Sequence, residues 1–594
     1  MPTRYRALPP RPRSVPPRVV PAYAAAVLLC LPAAYAARPV PARAEPRAYC
    51  SVGPEVPGTE DGQALSAENS PRWIAEAEPE GYAGFPGVAA IGVVRPDGTR
   101  GTDVIASFSR NADSVVPQVS GMTVSHDGGE TFGPVRGSPF RNAPVRLHDG
   151  RLLAADYYST AVDAHTNRLG VSVSSDDGRT WQPGQAVLTT PGTLSSWGVA
   201  HGSPVQLADG TLLQTFYARY AGSALQQPEV YASTDGARTF TRRGVLAVSG
   251  GGYEYNEATV AQVADGSLLA VLRRDGGAYS ALFTTRSRDR GATWTPPAPL
   301  VFDDGSCLVP GVDPELLLMP NGVLVLSAGR PDVWLAVSTD GAGERWEPQR
   351  VTYHNRDGVR DTHGTSGYSG IAPLGPHRLI QVFDNCKLPG LRHDGRPDER
   401  MCPRDGRFEH GTAYGILRRH VRVHTPFAGP PAARIDLAGL LRRGGLTVET
   451  TMTWPPPGTP AAAARPRTGI GGAFDGSTEY WSSAVGATAR GEVVLHLRRG
   501  VALGRIGLSL RPGHPADAEV YVSADGGHWG RPVVTVKAHT GYAMDYFTPE
   551  PPRSRAIRHI KIITTATTPC DAEIGPRCAM LNEIELYSAA TGAP

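Results

Sequence analysis

Ser125-His126-Asp127-Gly128-Gly129-Glu130-Thr131-Phe132 is the first of five copies of one short pattern. Two more read Ser175-Asp176-Asp177-Gly178-Arg179-Thr180-Trp181 and Ser233-Thr234-Asp235-Gly236-Ala237-Arg238-Thr239-Phe240. Ser287-Arg288-Asp289-Arg290-Gly291-Ala292-Thr293-Trp294 follows, then a stretched copy from Ser338 through Asp340 to Trp346. At the centre of each, Asp and Gly supply side-chain-to-backbone hydrogen bonds and positive φ, the chemistry of a tight turn. An aromatic residue closes each copy and can pin the turn to a neighbouring strand. One unit returning roughly every 55 residues predicts a radial or solenoid array of supersecondary units.

A second element recurs out of phase with the first. Apolar runs flank Asp97-Gly98, Asp149-Gly150, Asp209-Gly210, Asp265-Gly266 and Asn321-Gly322, with a degenerate sixth copy at Pro376-His377. Asp-Gly or Asn-Gly between alternating apolar runs is the strongest short hairpin signal. Six such units fit six blades of four short strands around a central channel. The sixth lacks its own aspartate-centred turn, so the segment near residues 70 to 85 is expected to complete it. The repeated turn resembles the Asp-box of the sialidase superfamily of six-bladed β-propellers. That resemblance implies an all-β fold with a propeller over residues 45–425, and it puts the Asp-box Ser and Asp on the outer rim in a structural role.

Composition agrees with an all-β chain. In 594 residues there are 69 Gly and 55 Pro against 19% charged residues, which suits many turns rather than disorder. A formal charge of +3 gives no reason to expect nucleic acid or an acidic membrane surface as partner. Five arginines between positions 4 and 18 precede the apolar run Ala22–Leu31 and the small-residue sites Ala34-Tyr35-Ala36 and Ala42-Arg43-Ala44. This is the pattern of an export signal over residues 1–44, with a single-pass anchor as the alternative. A secreted mature chain with no membrane span is expected, and a monomer.

Without Cys30, six cysteines are left, an even set that in an exported protein reads as disulfides. The preferred pairs among the fifteen possible connectivities are Cys386–Cys402, Cys570–Cys578 and Cys50–Cys307. No cysteine or histidine spacing suggests zinc, and neither a cofactor nor a metal is expected.

The repeats end near His420-Val421-Arg422-Val423-His424, and Thr425-Pro426-Phe427-Ala428-Gly429-Pro430-Pro431 opens a Pro/Gly-rich linker over 426–445. Beyond it, Ala473-Phe474-Asp475-Gly476, Tyr480-Trp481-Ser482-Ser483, the strand Val493–Leu497 and the closing Asn582–Tyr587 follow in order. This order resembles the discoidin-type β-sandwich, a jelly roll that implies a carbohydrate-binding module over residues 446–590. Ser523 to Trp529 mimics an Asp-box but is expected to be a hairpin of that sandwich rather than a seventh blade.

Candidate chemistry lies where each hairpin strand ends, at Arg110, Tyr157, Arg219, Arg273, Arg330 and Asp384. Four guanidinium groups at equivalent positions suit bidentate carboxylate recognition, and solvated strand ends are the plain alternative. Here the sialidase resemblance reaches individual residues. Asn256-Glu257-Ala258 followed by a hairpin and Arg273 is similar to the family's glutamate and second triad arginine. Arg330 is similar to the third, and Gly367-Tyr368-Ser369 to the catalytic tyrosine segment. The resemblance implies that Tyr368 is the nucleophile and Glu257 its base, since a bare phenol with a pKa near 10 is a weak nucleophile at neutral pH. It implies an acid/base aspartate in the first blade, for which Asp113 is the candidate and a turn aspartate the alternative. Arg110 and Arg219 are added as substrate-binding residues.

One departure stands out. The family opens its first blade with an Arg-Ile-Pro element, and here Tyr82-Ala83-Gly84-Phe85-Pro86-Gly87 has Gly84 where that arginine belongs. Loss of one clamping arginine would cost a substrate carboxylate about 1.5–3 kcal/mol. His201 and Glu254 add axial groups that the family template lacks. The leading expectation is a secreted exo-α-sialidase-like glycosidase that works on a glycan with retention of configuration. A propeller hydrolase or lyase for another sugar and a non-catalytic glycan-binding protein are the alternatives.

Overall fold

The structure is a computed structural model that describes residues 48–589 apart from loop segments, the longest being 355–365, 386–414, 455–469 and 569–578. Residues Pro46–Pro594 form one compact unit, distinct from Met1–Glu45. The export signal, Asp113, Tyr480–Ser483, and the Cys386–Cys402 and Cys570–Cys578 pairs lie outside the described residues. The Cys50–Cys307 bond is present.

The chain is all β apart from short turns of helix. Six antiparallel sheets follow one another from Gly84 to Val423. Sheet one comprises Gly84–Val94, Arg100–Ser109, Ser120–Ser125 and Arg136–Ser138. Sheet two comprises Val145–Arg146, Leu152–Ala161, Thr166–Ser174 and Gln182–Thr189; sheet three comprises Val199–Gln206, Leu212–Arg219, Gln226–Ser233 and Thr239–Val245. These two join through a parallel pairing of Gln182–Thr189 with Thr239–Val245. Sheet four runs Glu254–Gln262, Leu268–Asp275, Ala281–Ser287 and Ala298–Pro299; sheet five runs Val312–Leu318, Leu324–Gly329, Val333–Ser338 and Arg350–Tyr353. Sheet six has Ser369–Pro373, Arg378–Asp384 and Gly415–Val423, and its outer edge is supplied by Leu65–Ala67 and Arg72–Glu76 from the start of the chain.

The repeated turns explain how the sheets are stitched together. In the first four, the serine hydroxyl donates to the aspartate and accepts a backbone N–H four residues on, as in Ser125–Asp127 and Gly129 N–H to Ser125, whereas in the stretched fifth copy Ser338 accepts the N–H of Gly343, five residues on. The aspartate accepts the threonine N–H and hydroxyl, as Asp235 does from Thr239. Only positive-φ residues can close such a loop, and Gly178 and Gly291 supply them at φ 81° and 84°. In the second copy the structure moves the register by one residue: Ser174 and Asp176 make these bonds, not Ser175 and Asp177. Both residue types are doubled there, so sequence alone left the choice open.

Each turn also packs on the preceding sheet. A methyl added at Gly178 would meet Ile105 in sheet one, one at Gly291 would come against Leu213 in sheet three, and one at Gly343 would meet Leu269 in sheet four. One at Gly129 would meet Ile380 and His420 in sheet six, so the packing order closes on itself. Asp235→Ala removes the acceptor for the Arg238 and Thr239 N–H groups. It should destabilise the protein by about 1–2 kcal/mol, read as a lower thermal midpoint with the site untouched.

After Val423 come a short helix, Leu437–Arg442, and two further sheets. One sheet has seven strands, among them the long strand Arg490–Ser509, Leu446–Thr450, Ala516–Ser523, Arg553–Ala566 and Glu583–Ser588. Met452–Thr453, Ala484–Gly486 and Met580–Leu581 form a three-stranded sheet. One apolar core joins both sheets and the helix, with Leu437, Ala484, Leu495, Ile506, Ile560 and Leu581 fully or nearly buried. Ser523 to Trp529 makes the same internal hydrogen bonds as the repeated turns, but it connects Ala516–Ser523 to Val534–His539 within this core's sheet.

Candidate active site

The first strands of sheets three to six carry a polar group at one repeating position: His201, Glu257, Asp313 and Ser369 are each 56 residues apart. Register breaks lie beside or across this position, between His201 and Val205, between Tyr255 and Ala258, and between Val312 and Glu315. A bulge re-aims a side chain that strict alternation would place elsewhere. Neighbouring sheets then hand hydrogen bonds around the ring. Ser369 N–H donates to Asp313 Oδ2 at 2.9 Å, and Asp313 N–H donates to Glu257 Oε2 at 2.9 Å.

Tyr368 and Glu257, 7% and 4% exposed, meet at this ring. The Tyr368 hydroxyl donates to Glu257 Oε1, which also receives Arg273 Nη1 at 3.0 Å. Arg273 Nε is held by Asp275 at 3.0 Å and by Ser280 Oγ at 3.2 Å. Burial alone would raise the Glu257 pKa, but the Arg273 charge, His201, the Tyr368 hydroxyl and the Asp313 N–H bring it down to about 2. Burial, and then the Glu257 charge, push the Tyr368 phenol well above its ordinary value. The resting proton is therefore on the tyrosine and the charge on the glutamate. A hydrogen bond between them provides the path by which the phenol can lose its proton as it attacks an electrophile.

The loop under Tyr368 is fixed by a buried carboxylate. Asp384 accepts the Ser366 N–H at 2.6 Å, the Ser366 hydroxyl and the Phe85 N–H at 2.8 Å. Ser366 Oγ in turn accepts the Tyr368 N–H at 3.1 Å. Asp384, read from sequence as a strand end, is thus a positioning residue.

Arg141 is the residue that sequence reasoning missed. Its guanidinium carbon lies 3.7 Å from the Tyr157 ring centroid and 5.2 Å from that of Tyr368. Arg141 is 5% exposed, and its Nε is buried without a hydrogen-bond partner among the described residues. Burial opposes its charge, but the nearby Tyr157, Tyr368 and Asp313 oxygens outweigh that and raise its pKa. The signal was Phe140-Arg141-Asn142-Ala143-Pro144, just before the Asp149-Gly150 hairpin and so one sheet later than Gly84, where an arginine was sought. Arg141 also lies 5.4 Å from the ring centroid of Phe85, the residue that follows Gly84.

The other residues sort by place. Arg330 Nε donates to Ser366 O at 3.0 Å, beside the tyrosine loop. Arg219 stands at the end of its strand, 3.6 Å from Glu254. Arg110 is exposed, with its N–H bonded to Val119 O, and takes no part in the cluster. His201, half-foreseen, presents Nδ1 to Ala258 O at 3.1 Å and Nε2 to Asp313 Oδ1 at 2.9 Å. A carbonyl demands a hydrogen on Nδ1, which leaves Nε2 facing Asp313.

A cavity of about 330 Å³ is lined by Tyr368, Arg141, His201, Thr215, Asp313 and Glu315 among others. Burial, with Asp313 beside it, pushes Glu315 up to about 8. Among the described residues no group of three or more metal-ligating side chains is arranged to hold an ion, and no helix is long and apolar enough to cross a membrane.

Residues 142–372 match the family model described as a BNR repeat-like domain. This segment begins one residue after Arg141 and contains Glu257, Arg273, Arg330 and Tyr368. No curated protein matches the chain. Among solved structures, a protein of unknown function from Dyadobacter fermentans is similar at 17% identity and a TM-score of 0.44, over 61% of this chain and 100% of that one. An α-L-arabinanase from Penicillium chrysogenum is similar at 15% identity and 0.41, over 59% and 97%. An intramolecular trans-sialidase from Ruminococcus gnavus is similar at 15% identity and 0.36, over 52% and 92%.

Proposed function

We propose that this chain is a secreted glycoside hydrolase that removes a terminal acidic sugar, sialic acid first among them, with retention of configuration. In this reading the six sheets are the blades of a β-propeller, and the C-terminal sheets form a discoidin-like sandwich that holds glycan. One observation carries it: a neutral tyrosine hydrogen-bonded to an ionised glutamate, with a buried arginine stacked beside the same ring. Glycosidases use a pair of carboxylates as a rule, and a tyrosine nucleophile belongs to substrates that bring their own carboxylate. Such a substrate would repel an anionic nucleophile but not a neutral phenol.

Tyr368 Oη attacks the anomeric carbon and its proton passes to Glu257. The bond to the aglycone oxygen breaks, and Asp113 is assigned to protonate that oxygen. Water then attacks the anomeric carbon of the tyrosyl intermediate and gives its proton to Asp113, while the Tyr368 oxygen leaves and takes its proton back from Glu257. Arg141, with Arg330 and Arg273 around the same centre, receives the sugar carboxylate in the bidentate geometry that guanidinium groups favour.

The test is release of fluorophore from an aryl α-sialoside and from an aryl α-L-arabinofuranoside by the full chain. Turnover of the sialoside is expected. Turnover of the arabinoside alone would overturn the acidic-sugar assignment, and turnover of neither would overturn the hydrolase reading for both sugar classes.

A further inference from the structure

Two exposed tyrosines stand over the strand pair that carries Glu257 and Arg273. Tyr253 is 37% exposed and Tyr279 55%. In sheet four Glu254 pairs with Asp275 and Tyr255 with Arg274. Tyr253 therefore precedes one strand at its open end, and Tyr279 follows the other. Four residues of strand separate Tyr253 from Glu257, a distance of about 13 Å along the chain. Tyr279 is closer by contact, because its neighbour Ser280 bonds both Arg273 Nε and Asp275.

Both rings are braced. Tyr49 Oη donates to Tyr279 O at 2.8 Å and accepts the Tyr279 N–H at 3.2 Å, and the two rings meet edge to face with centroids 5.1 Å apart. Tyr49 is itself fastened. It bridges to Leu308, and the adjacent Cys50 is bonded to Cys307. The Arg274 guanidinium lies 4.2 Å from the Tyr253 ring centroid. The two loops touch: a methyl at Gly276 would run into Gly252 O and Tyr253 Cα.

A lone exposed aromatic on a protein surface needs no explanation. Two are here held by a disulfide, a reciprocal pair of hydrogen bonds and a cation–π contact, at the ends of the two strands that carry Glu257 and Arg273. A tyrosine immobilised before binding offers a large amphipathic face at little entropic cost.

We infer that Tyr279 and Tyr253, braced by Tyr49, form a subsite for the sugar on the leaving side of the scissile bond, stacking on the apolar face of its pyranose ring. This rests on the proposed hydrolase reading and adds to it a preference for a glycan over a simple alkyl leaving group.

Binding decides it, measured calorimetrically in the full chain with Tyr368→Phe so that no probe is consumed. The probes are sialyllactose, which carries a leaving-side sugar, and methyl α-sialoside, which does not. Adding Tyr279→Ala is expected to weaken sialyllactose about tenfold and to leave methyl α-sialoside unchanged. Tyr253→Ala, a second variant at an exposed ring, is expected to act in the same direction. If the tyrosine variants weaken both probes equally, or neither, the subsite is overturned and the acidic-sugar reading stands. If the parent binds neither probe, that reading is overturned and this subsite with it.

Discussion

Replacing Tyr368 with Phe should reduce glycoside turnover by a factor on the order of 10⁴ while leaving the fold intact. The phenyl ring keeps its edge-to-face contact with Phe85, at a centroid distance of 4.9 Å, and its place beside Arg141. What disappears is one oxygen. Glu257 loses that donor but keeps Arg273 and the Asp313 N–H, so its charge stays compensated. The thermal midpoint should therefore move little, and substrate should still bind. Glu257→Gln tests the other half of the pair and should cost about 10²–10⁴-fold in kcat, because an amide cannot take the phenol proton.

The pH profile adds a check with a definite sign. A carboxylate held at about 2 is ionised throughout the working range. Glu257 therefore produces no fall in activity as pH drops from 7 to 4, and an acid limb in that window belongs to another group. An Arg273→Gln variant loses the largest force holding the charge on Glu257, so its acid limb should move upward. Retention of more than a tenth of wild-type turnover by Tyr368→Phe would refute the nucleophile assignment.

What the sequence revealed was local, and what it concealed was not. The aspartate-centred turns bind themselves within a few residues, Ser125 to Gly129 and Asp127 to Thr131, so their chemistry is complete in a single octet of sequence. The hairpins around Asp209-Gly210 and Asp265-Gly266 are local in the same sense. Tyr368 and Glu257 were legible through a family likeness, although 111 residues separate them. Arg141 was not, because an arginine was sought in the first sheet, at Gly84, whereas the one beside Tyr368 lies at the entry to the second.

Asp313 was invisible for a different reason. Ahead of Pro314 it reads as a turn residue, and only the register break between Val312 and Glu315, with a φ of 48° at Asp313, points it at His201. Bulges leave no mark in an alternating pattern. The 56-residue interval linking His201, Glu257, Asp313 and Ser369 could have found it, had the repeat been measured on inner strands instead of on outer turns. The Cys50–Cys307 preference was realised, yet nothing in its spacing showed that it fastens a tyrosine beside the site.

Arg141→Met is the second change with a large expected effect, and that effect should fall chiefly on substrate recognition. The groups against this guanidinium are rings, Tyr157 at 3.7 Å, Tyr368 at 5.2 Å and Phe85 at 5.4 Å. Together with the nearby Asp313 oxygens they favour the charged guanidinium in the fold, although burial opposes it. An apolar side chain of similar volume keeps the packing but loses that attraction, so the variant should unfold at a somewhat lower temperature than wild type. Its KM for an α-sialoside should rise by about 100-fold, the equivalent of losing a charge-assisted contact of roughly 3 kcal/mol. An analogue whose carboxylate is replaced by a primary amide should discriminate between the two proteins far less. Arg141→Lys should not restore the acidic substrate, since an ammonium group cannot offer the planar two-point contact of a guanidinium. A folded protein that has lost only its acidic substrate would identify Arg141 as the residue that receives the carboxylate. If KM stayed unchanged, the carboxylate would have to be received elsewhere, by Arg273 or Arg330.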